Sequence, residues 1–141
     1  MQPLKGLTVV TLEHAIAAPF ATRQLADLGA RVIKIERPGT GDFARGYDAR
    51  VRGLASHFVW TNRSKESLTL DVKHPEAAKL LERLVLEKAD VVVQNLAPGA
   101  AGAGLRQARG PQARHHRLRH FRLRRRRPVP RQEGLRPVDP E

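Results

Sequence analysis

The 141-residue sequence contains no cysteine. That excludes disulfides and thiolate metal sites, and it leaves the redox compartment undetermined. Aromatic residues make up only 4% of the chain, with one Trp, one Tyr and one Met. No segment approaches the roughly 20 consecutive apolar residues that a membrane-spanning helix needs. The opening MQPLKGLTVV has a short apolar run, soon broken by Glu13 and His14, and does not read as a secretory leader. Neither GxGxxG nor GxxxxGK(S/T) occurs, so the common glycine-rich phosphate loops are missing. These absences leave a cytoplasmic protein, without metal and without membrane association, as the default expectation.

What is present is unevenly placed. All six lysines and the single Trp, Tyr and Met lie before residue 101. Through Ala100 the chain holds 14 Lys and Arg against 11 Asp and Glu, whereas Ala101 to Glu141 holds 12 Arg, no Lys and 3 acids. Most of the formal net charge of +12 therefore sits in the last stretch. The sequence divides into residues 1–100, which are sufficient for a small domain, and an Arg-rich tail, 101–141, expected to be irregular or disordered.

Within the first part, Leu7 to Leu12 is rich in β-branched residues and reads as a buried strand. Pro19 suits a first helical position. Ala21, Leu25 and Leu28 follow at helical spacing, and Gly29 can supply a left-handed stop. Arg31 to Glu36 alternates and is bounded by Pro38-Gly39, which marks a second strand. Gly39 to Gly46 reads as a polar loop, and Ser67 to Val72 as a third strand. Pro75-Glu76 opens a second helix, with an acid suited to its dipole and Leu80, Leu81, Leu84 and Val85 on one face. The apolar run Ala89 to Val93 predicts a fourth strand buried on both faces. Strand, helix, strand, then strand, helix, strand predicts an α/β fold, a partial Rossmann-like parallel sheet with flanking helices.

Ligands of such sheets lie beyond the carboxyl ends of the strands. Those ends carry His14-Ala15-Ile16-Ala17-Ala18, Arg37-Pro38-Gly39 and Asn95-Leu96-Ala97-Pro98-Gly99. The small residues permit close backbone approach, and the helix near Pro19 would direct free N–H groups at an anion. Arg37 would add a fixed positive charge. Read from spacing alone, ordinary turns remain the alternative.

The strings themselves carry more. PLKGLTVVTLEHAIAAPFATRQLADLGARVIKIERPGTGDFARG resembles the opening of the family III CoA-transferases, the group that includes formyl-CoA transferase, α-methylacyl-CoA racemase and carnitine CoA-transferase. TNRSKESLTLDVKHPEAAKLL is similar to the family's N-x-x-K-x-S-x-x-L-D-x-K-x-P-E segment, and ADVVVQNLAPGA to its ADV-x-V-x-N-x-x-PG segment. Four motifs in family order span residues 3–100. The resemblance implies that coenzyme A or an acyl-CoA is bound as substrate. It implies that His14, Ala15 and Ala17 line the nucleotide, and that Arg37 meets the adenine–phosphate end. Leu70 would pack on adenine, and Asn95 with Leu96 would approach the pantetheine side. A guanidinium and helix N–H groups suit the phosphates of such a ligand. Ile16 and Ala18 stand where family members often have Gln or Val and Gly.

The resemblance also implies an acyl-CoA and a carboxylic acid as partners, and an interlocked homodimer. It brings no metal, membrane or specific nucleic acid. Family transferases use an aspartate that attacks the thioester to form an acyl–enzyme anhydride, whereas the racemase branch exchanges an α-proton with His and Asp. In both branches that Asp lies downstream of the ADV segment, and no motif for it occurs here. Asp42, Asp48, Asp71 and Asp90 belong to other motifs and read as structural or solvated, so no catalytic residue is assigned. The expectation is a truncated, inactive CoA-transferase chain, with a racemase fragment or a basic nucleic-acid-binding protein as alternatives.

Where the family continues with a glycine-rich S-G-x-G-x-x-G-P-Y-R-D stretch, this chain has RHHRLRHFRLRRRRPVPRQEGLRPVDPE. Arg114 to Glu141 can be encoded by GC-rich codons that, read one base later, give AIIVCDISGYGAGGPYRDKKAYDLLIQ. That string resembles the family's continuation, so the tail reads as a frameshift beginning near residues 101–106. An arginine run can also hold phosphates, but it lacks the aromatic interleaving of a base-stacking surface.

Overall fold

A computed structural model describes residues 2–96, together with the backbone of residues 116–118. The Pro98-Gly99 turn and nearly all of the Arg-rich tail lie outside the described residues. Five parallel strands form one sheet in the order β3-β2-β1-β4-β5. They are β1 (Thr8–Leu12), β2 (Arg31–Glu36), β3 (Glu66–Thr69), β4 (Val91–Gln94) and β5 (His116–Leu118). Helices α1 (Ala17–Asp27), α2 (Ser56–Asn62) and α3 (Pro75–Lys88) connect them. The fold is α/β, with β1 in the middle of the sheet.

Residue alternation along β1 and β2 sends side chains to two separate cores. Val10, Leu12, Ile33 and Ile35 meet Leu81, Val85 and Ala89 of the α3 region on one face. Val9 and Val32 meet Ala26 and Ala30 of the α1 region on the other. Both faces of the central strands are thus covered, which explains their nearly continuous burial.

The second strand runs as predicted, and Gly29 takes the expected left-handed turn, with φ +101°. α1 starts two residues before Pro19, and its phase differs from the expected one. Ala18, Thr22 and Ala26 face the sheet, and Leu28 is exposed. Of the expected stripe, Leu25 packs against the α1-side core, while the fully buried positions are small residues. In α3, Leu81 and Val85 are buried but Leu80 is exposed. β4 is half-buried along its length, not buried on both faces. A 3-10 turn (Phe43–Gly46) lies inside the expected loop, and α2 was not expected at all. Its sequence SHFVWTN is poor in strong helix formers. No helix among the described residues is long and apolar enough to cross a membrane.

Candidate functional site

The chain leaves β1 toward β2 on one side, while β4 packs on the other, so the order of connections reverses between β1 and β4. The region beyond their carboxyl ends is the usual ligand position in open parallel sheets. His14, Ala15 and Asn95 all stand there. The main-chain N–H of His14 donates to Asn95 Oδ1 at 2.9 Å, and Asn95 Nδ2 donates to the His14 carbonyl at 2.9 Å. Ala15 follows with φ +64°, a conformation that L-residues other than Gly, Asn and Asp rarely adopt. Its N–H donates to Asp42 Oδ1 at 3.3 Å. Ala17 is exposed and is the first residue of α1, whose N-terminus has no side-chain cap.

The other expected residues spread along the same rim. Arg37 follows β2, is exposed, and is steadied by one bond from its Nε to the Gly41 carbonyl at 2.9 Å. Leu70 follows β3, and its N–H donates to the Glu36 carbonyl at 2.8 Å. Leu70 and Leu96 are both half-buried against the α3-side core. The fold therefore brings His14, Ala15 and Asn95 together at the ends of β1 and β4, with Ala17 at the start of α1 and Arg37, Leu70 and Leu96 at neighbouring strand ends.

Beneath this rim lies a buried polar layer. Glu13 accepts from Thr11 Oγ1 at 2.7 Å, Thr22 Oγ1 at 2.8 Å and Lys65 Nζ at 2.7 Å. Lys34 Nζ donates to Asp42 Oδ2 at 2.7 Å. The Asn62 side-chain oxygen accepts from both lysines, at 2.8 and 3.2 Å. Two carboxylates and two ammonium groups balance, which is the condition for keeping them out of water. Burial pulls the Lys65 ammonium below its usual range against the attraction of Glu13. For Asp42, burial pushes upward, but the bonds from Lys34, Ala44 N–H and Ala15 N–H hold the carboxyl below the carboxylate range.

Next to this layer, Glu36 receives two bonds from Arg45 at 2.8 Å, one from Asp42 N–H and one from Ser67 Oγ. Burial opposes its ionisation, yet these donors bring its pKa down to about 2. Gly41, with φ +60°, lies so close that a Cβ there would stand 2.5 Å from Glu36 Oε2.

Asp42, Asp48, Asp71 and Asp90 each accept a main-chain N–H, from Ala44, Arg50, Lys73 and Thr8 respectively. They act as turn and strand fasteners. His14 stacks on Phe43 at 5.6 Å. Its Nδ1 is buried without a hydrogen-bond partner among the described residues and lies 3.7 Å from Asp42 Oδ1. From Phe43 a run of ring contacts passes through Tyr47, His57 and Trp60 to Phe20. Sequence reasoning missed Glu13, Lys34, Asn62 and Lys65. The available signal was a lysine flanked by Ile33 and Ile35 in the middle of a strand.

Comparison with known proteins supplies the context. Residues 4–118 match the family model for CoA-transferase family III. Human succinyl-CoA:glutarate CoA-transferase is 39% identical over 104 residues, which cover 73% of this chain and 24% of that enzyme. The acetyl-CoA:oxalate CoA-transferase of Acetobacter aceti is 43% identical over 97 residues, 69% of this chain and 25% of the relative. The crystal structure of a CAIB/BAIF family protein from Brucella suis superposes with a TM-score of 0.63 at 40% identity, covering 76% of this chain and 28% of that one. This chain spans about a quarter of the length of these relatives.

Proposed function

The chain belongs to CoA-transferase family III, and on that premise we propose that it is the coenzyme-holding N-terminal part of an enzyme that moves coenzyme A from an acyl-CoA to a carboxylic acid. One observation carries this reading. The β1–α1 loop lies at the carboxyl end of β1 beside that of β4, with left-handed Ala15 leading into a helix start that has no side-chain cap. Such a loop offers main-chain N–H groups to a phosphate, and Arg37 on the next strand end offers a guanidinium.

The chemistry of transfer needs a carboxylate that the ligand can reach. Among the described residues, Asp42, Asp48, Asp71 and Asp90 are engaged with main-chain N–H groups, and Asp27 is paired with Arg23 and Arg63. The reading is of a coenzyme binder without turnover. Calorimetric titration with coenzyme A should give saturable binding, and an acyl-CoA:carboxylate transferase assay on the 141-residue chain should show no product. Measurable turnover would overturn the missing-carboxylate argument, and absence of coenzyme binding would overturn the whole reading.

The Arg-rich tail fits the same picture as an out-of-frame extension of the gene. One observation supports it: strand β5 at His116–Leu118, parallel to β4, falls where the reading shifted by one base gives Ile-Val-Cys. DNA sequencing of the gene decides this point. Codons for Arg114 onward whose shifted reading is not family-like would end the frameshift proposal.

A further inference from the structure

Arg37 and Glu36 hold the two ends of one peptide group. Arg37 Nε donates to the Gly41 carbonyl at 2.9 Å. The N–H of that same peptide belongs to Asp42 and donates to Glu36 Oε2 at 3.0 Å. Gly41 N–H closes the turn on the Arg37 carbonyl at 3.2 Å. Glu36 is itself fixed, with its side chain only 4% exposed. Arg45 donates to both of its oxygens at 2.8 Å, and Ser67 Oγ donates to Oε1 at 2.9 Å. The close approach depends on glycine, because a Cβ on Gly41 would lie 2.5 Å from Glu36 Oε2 and 2.9 Å from Arg45 Nε. Arg37 is exposed, and its guanidinium makes no other bond among the described residues. Its terminal nitrogens are open to an anion while its Nε is tied.

We propose that Glu36 is a positioning residue for Arg37. Through the Gly41–Asp42 peptide, its carboxylate fixes the direction in which Arg37 presents its terminal N–H groups to an anionic group of the ligand. This rests on the coenzyme reading of the preceding section, in which Arg37 offers its guanidinium to a phosphate. A guanidinium recognises a phosphate oxygen pair through a planar fork, so its orientation matters as well as its charge. Without the carboxylate the peptide is free to turn, and the arginine loses its tether. The ligand must then order that side chain as it binds, which lowers affinity without removing a contact.

A double-mutant cycle isolates this role from a merely structural one. Coenzyme A is titrated by calorimetry into the full chain, Glu36→Ala, Arg37→Ala and the double variant. Positioning predicts that Glu36→Ala weakens binding about tenfold when Arg37 is present and less than about twofold when it is alanine. It also predicts, without ligand, faster solvent exchange of the Arg37 Nε proton in Glu36→Ala. A general loss of fold weakens binding by the same factor in both backgrounds, so equal losses overturn the proposal, as does an unchanged affinity. Arg45→Met removes the clamp on Glu36 from its exposed side and guards against a folding defect in Glu36→Ala. Run through the same cycle, it should weaken binding about threefold, again only where Arg37 is present. Coenzyme A binding that is indifferent to Arg37→Ala overturns the proposal and leaves the coenzyme reading standing. Failure of the unaltered chain to bind coenzyme A overturns both.

Discussion

At the scale of single residues, the buried charges are the most demanding feature of this molecule. Lys65 and Glu13 are paired at 2.7 Å with side chains almost fully enclosed. Lys65→Met would leave Glu13 buried with two hydroxyl partners and no counter-charge. Breaking one partner of such a pair costs about 3–5 kcal/mol, so urea unfolding should show a midpoint shift large enough to leave the variant marginal. Glu36 makes a different prediction. Its folded pKa of about 2 lies below its ordinary value of 4.5. Its contribution is therefore complete above about pH 4.5 and is lost as pH falls toward 2, up to about 3 kcal/mol in all. Unfolding at pH 7 and at pH 3 should differ less in Glu36→Gln than in the unaltered chain; an equal difference would remove Glu36 from the account. These residues were the least legible part of the sequence. Lys34 and Glu36 alternate with Ile33 and Ile35 as solvated positions do in a half-exposed strand. Only once helices are known to cover both faces does the lysine require a buried partner. That partner lies eight residues away in a loop, and the partner of Glu13 lies 52 residues away.

Elements were easier to read than their contacts. The β2 strand, the start of α3 at Pro75 and the stop of α1 at Gly29 each rest on a local signal: alternation, a proline at a helix N-terminus, and a glycine free to turn left-handed. Gly29 tests that logic. Alanine there would hold φ near +101° and set its Cβ 2.5 Å from Gln2 Cβ. Gln2 is near the chain start and can shift, so the dihedral dominates. Gly29→Ala should lower stability by about 1–2 kcal/mol, read as a fall in the thermal midpoint, and a neutral result would mean the turn tolerates rearrangement. The helix that went unread, α2, is the instructive failure. Its aromatic and polar residues carry no helical signal of their own, and tertiary partners hold them in place. Asp48 accepts from Ser56 N–H and Oγ at its start, and Phe58 lies under the charged ends of Lys34 and Arg45 at 4.9 and 3.9 Å.

For the whole molecule, the first hundred residues and the arginine-rich remainder differ sharply in composition. A tail with 12 arginines will adhere to polyanions whatever its origin. RNA retention by the full chain should fall steeply and log-linearly with salt and show no preference among sequences of equal length. A sequence-selective complex surviving high salt would instead favour a dedicated binding role. The parallel α/β sheet followed from the pattern of strands and helices. The point of reversal between β1 and β4 did not, because it depends on which side of β1 the fourth strand joins.

The ring contacts that run from His14 to Phe20 have an optical consequence. Trp60, the one indole in the chain, is 47% exposed. It sits on α2, stacked 5.4 Å from Phe20 with the Arg23 guanidinium 5.4 Å from its ring, both from α1. Its emission therefore reports whether those two helices remain in contact, before and apart from the melting of the sheet. The His57 imidazole lies at the edge of that indole, 5.6 Å between ring centres. The molecule carries its own fluorescent gauge of the roof over its buried charges.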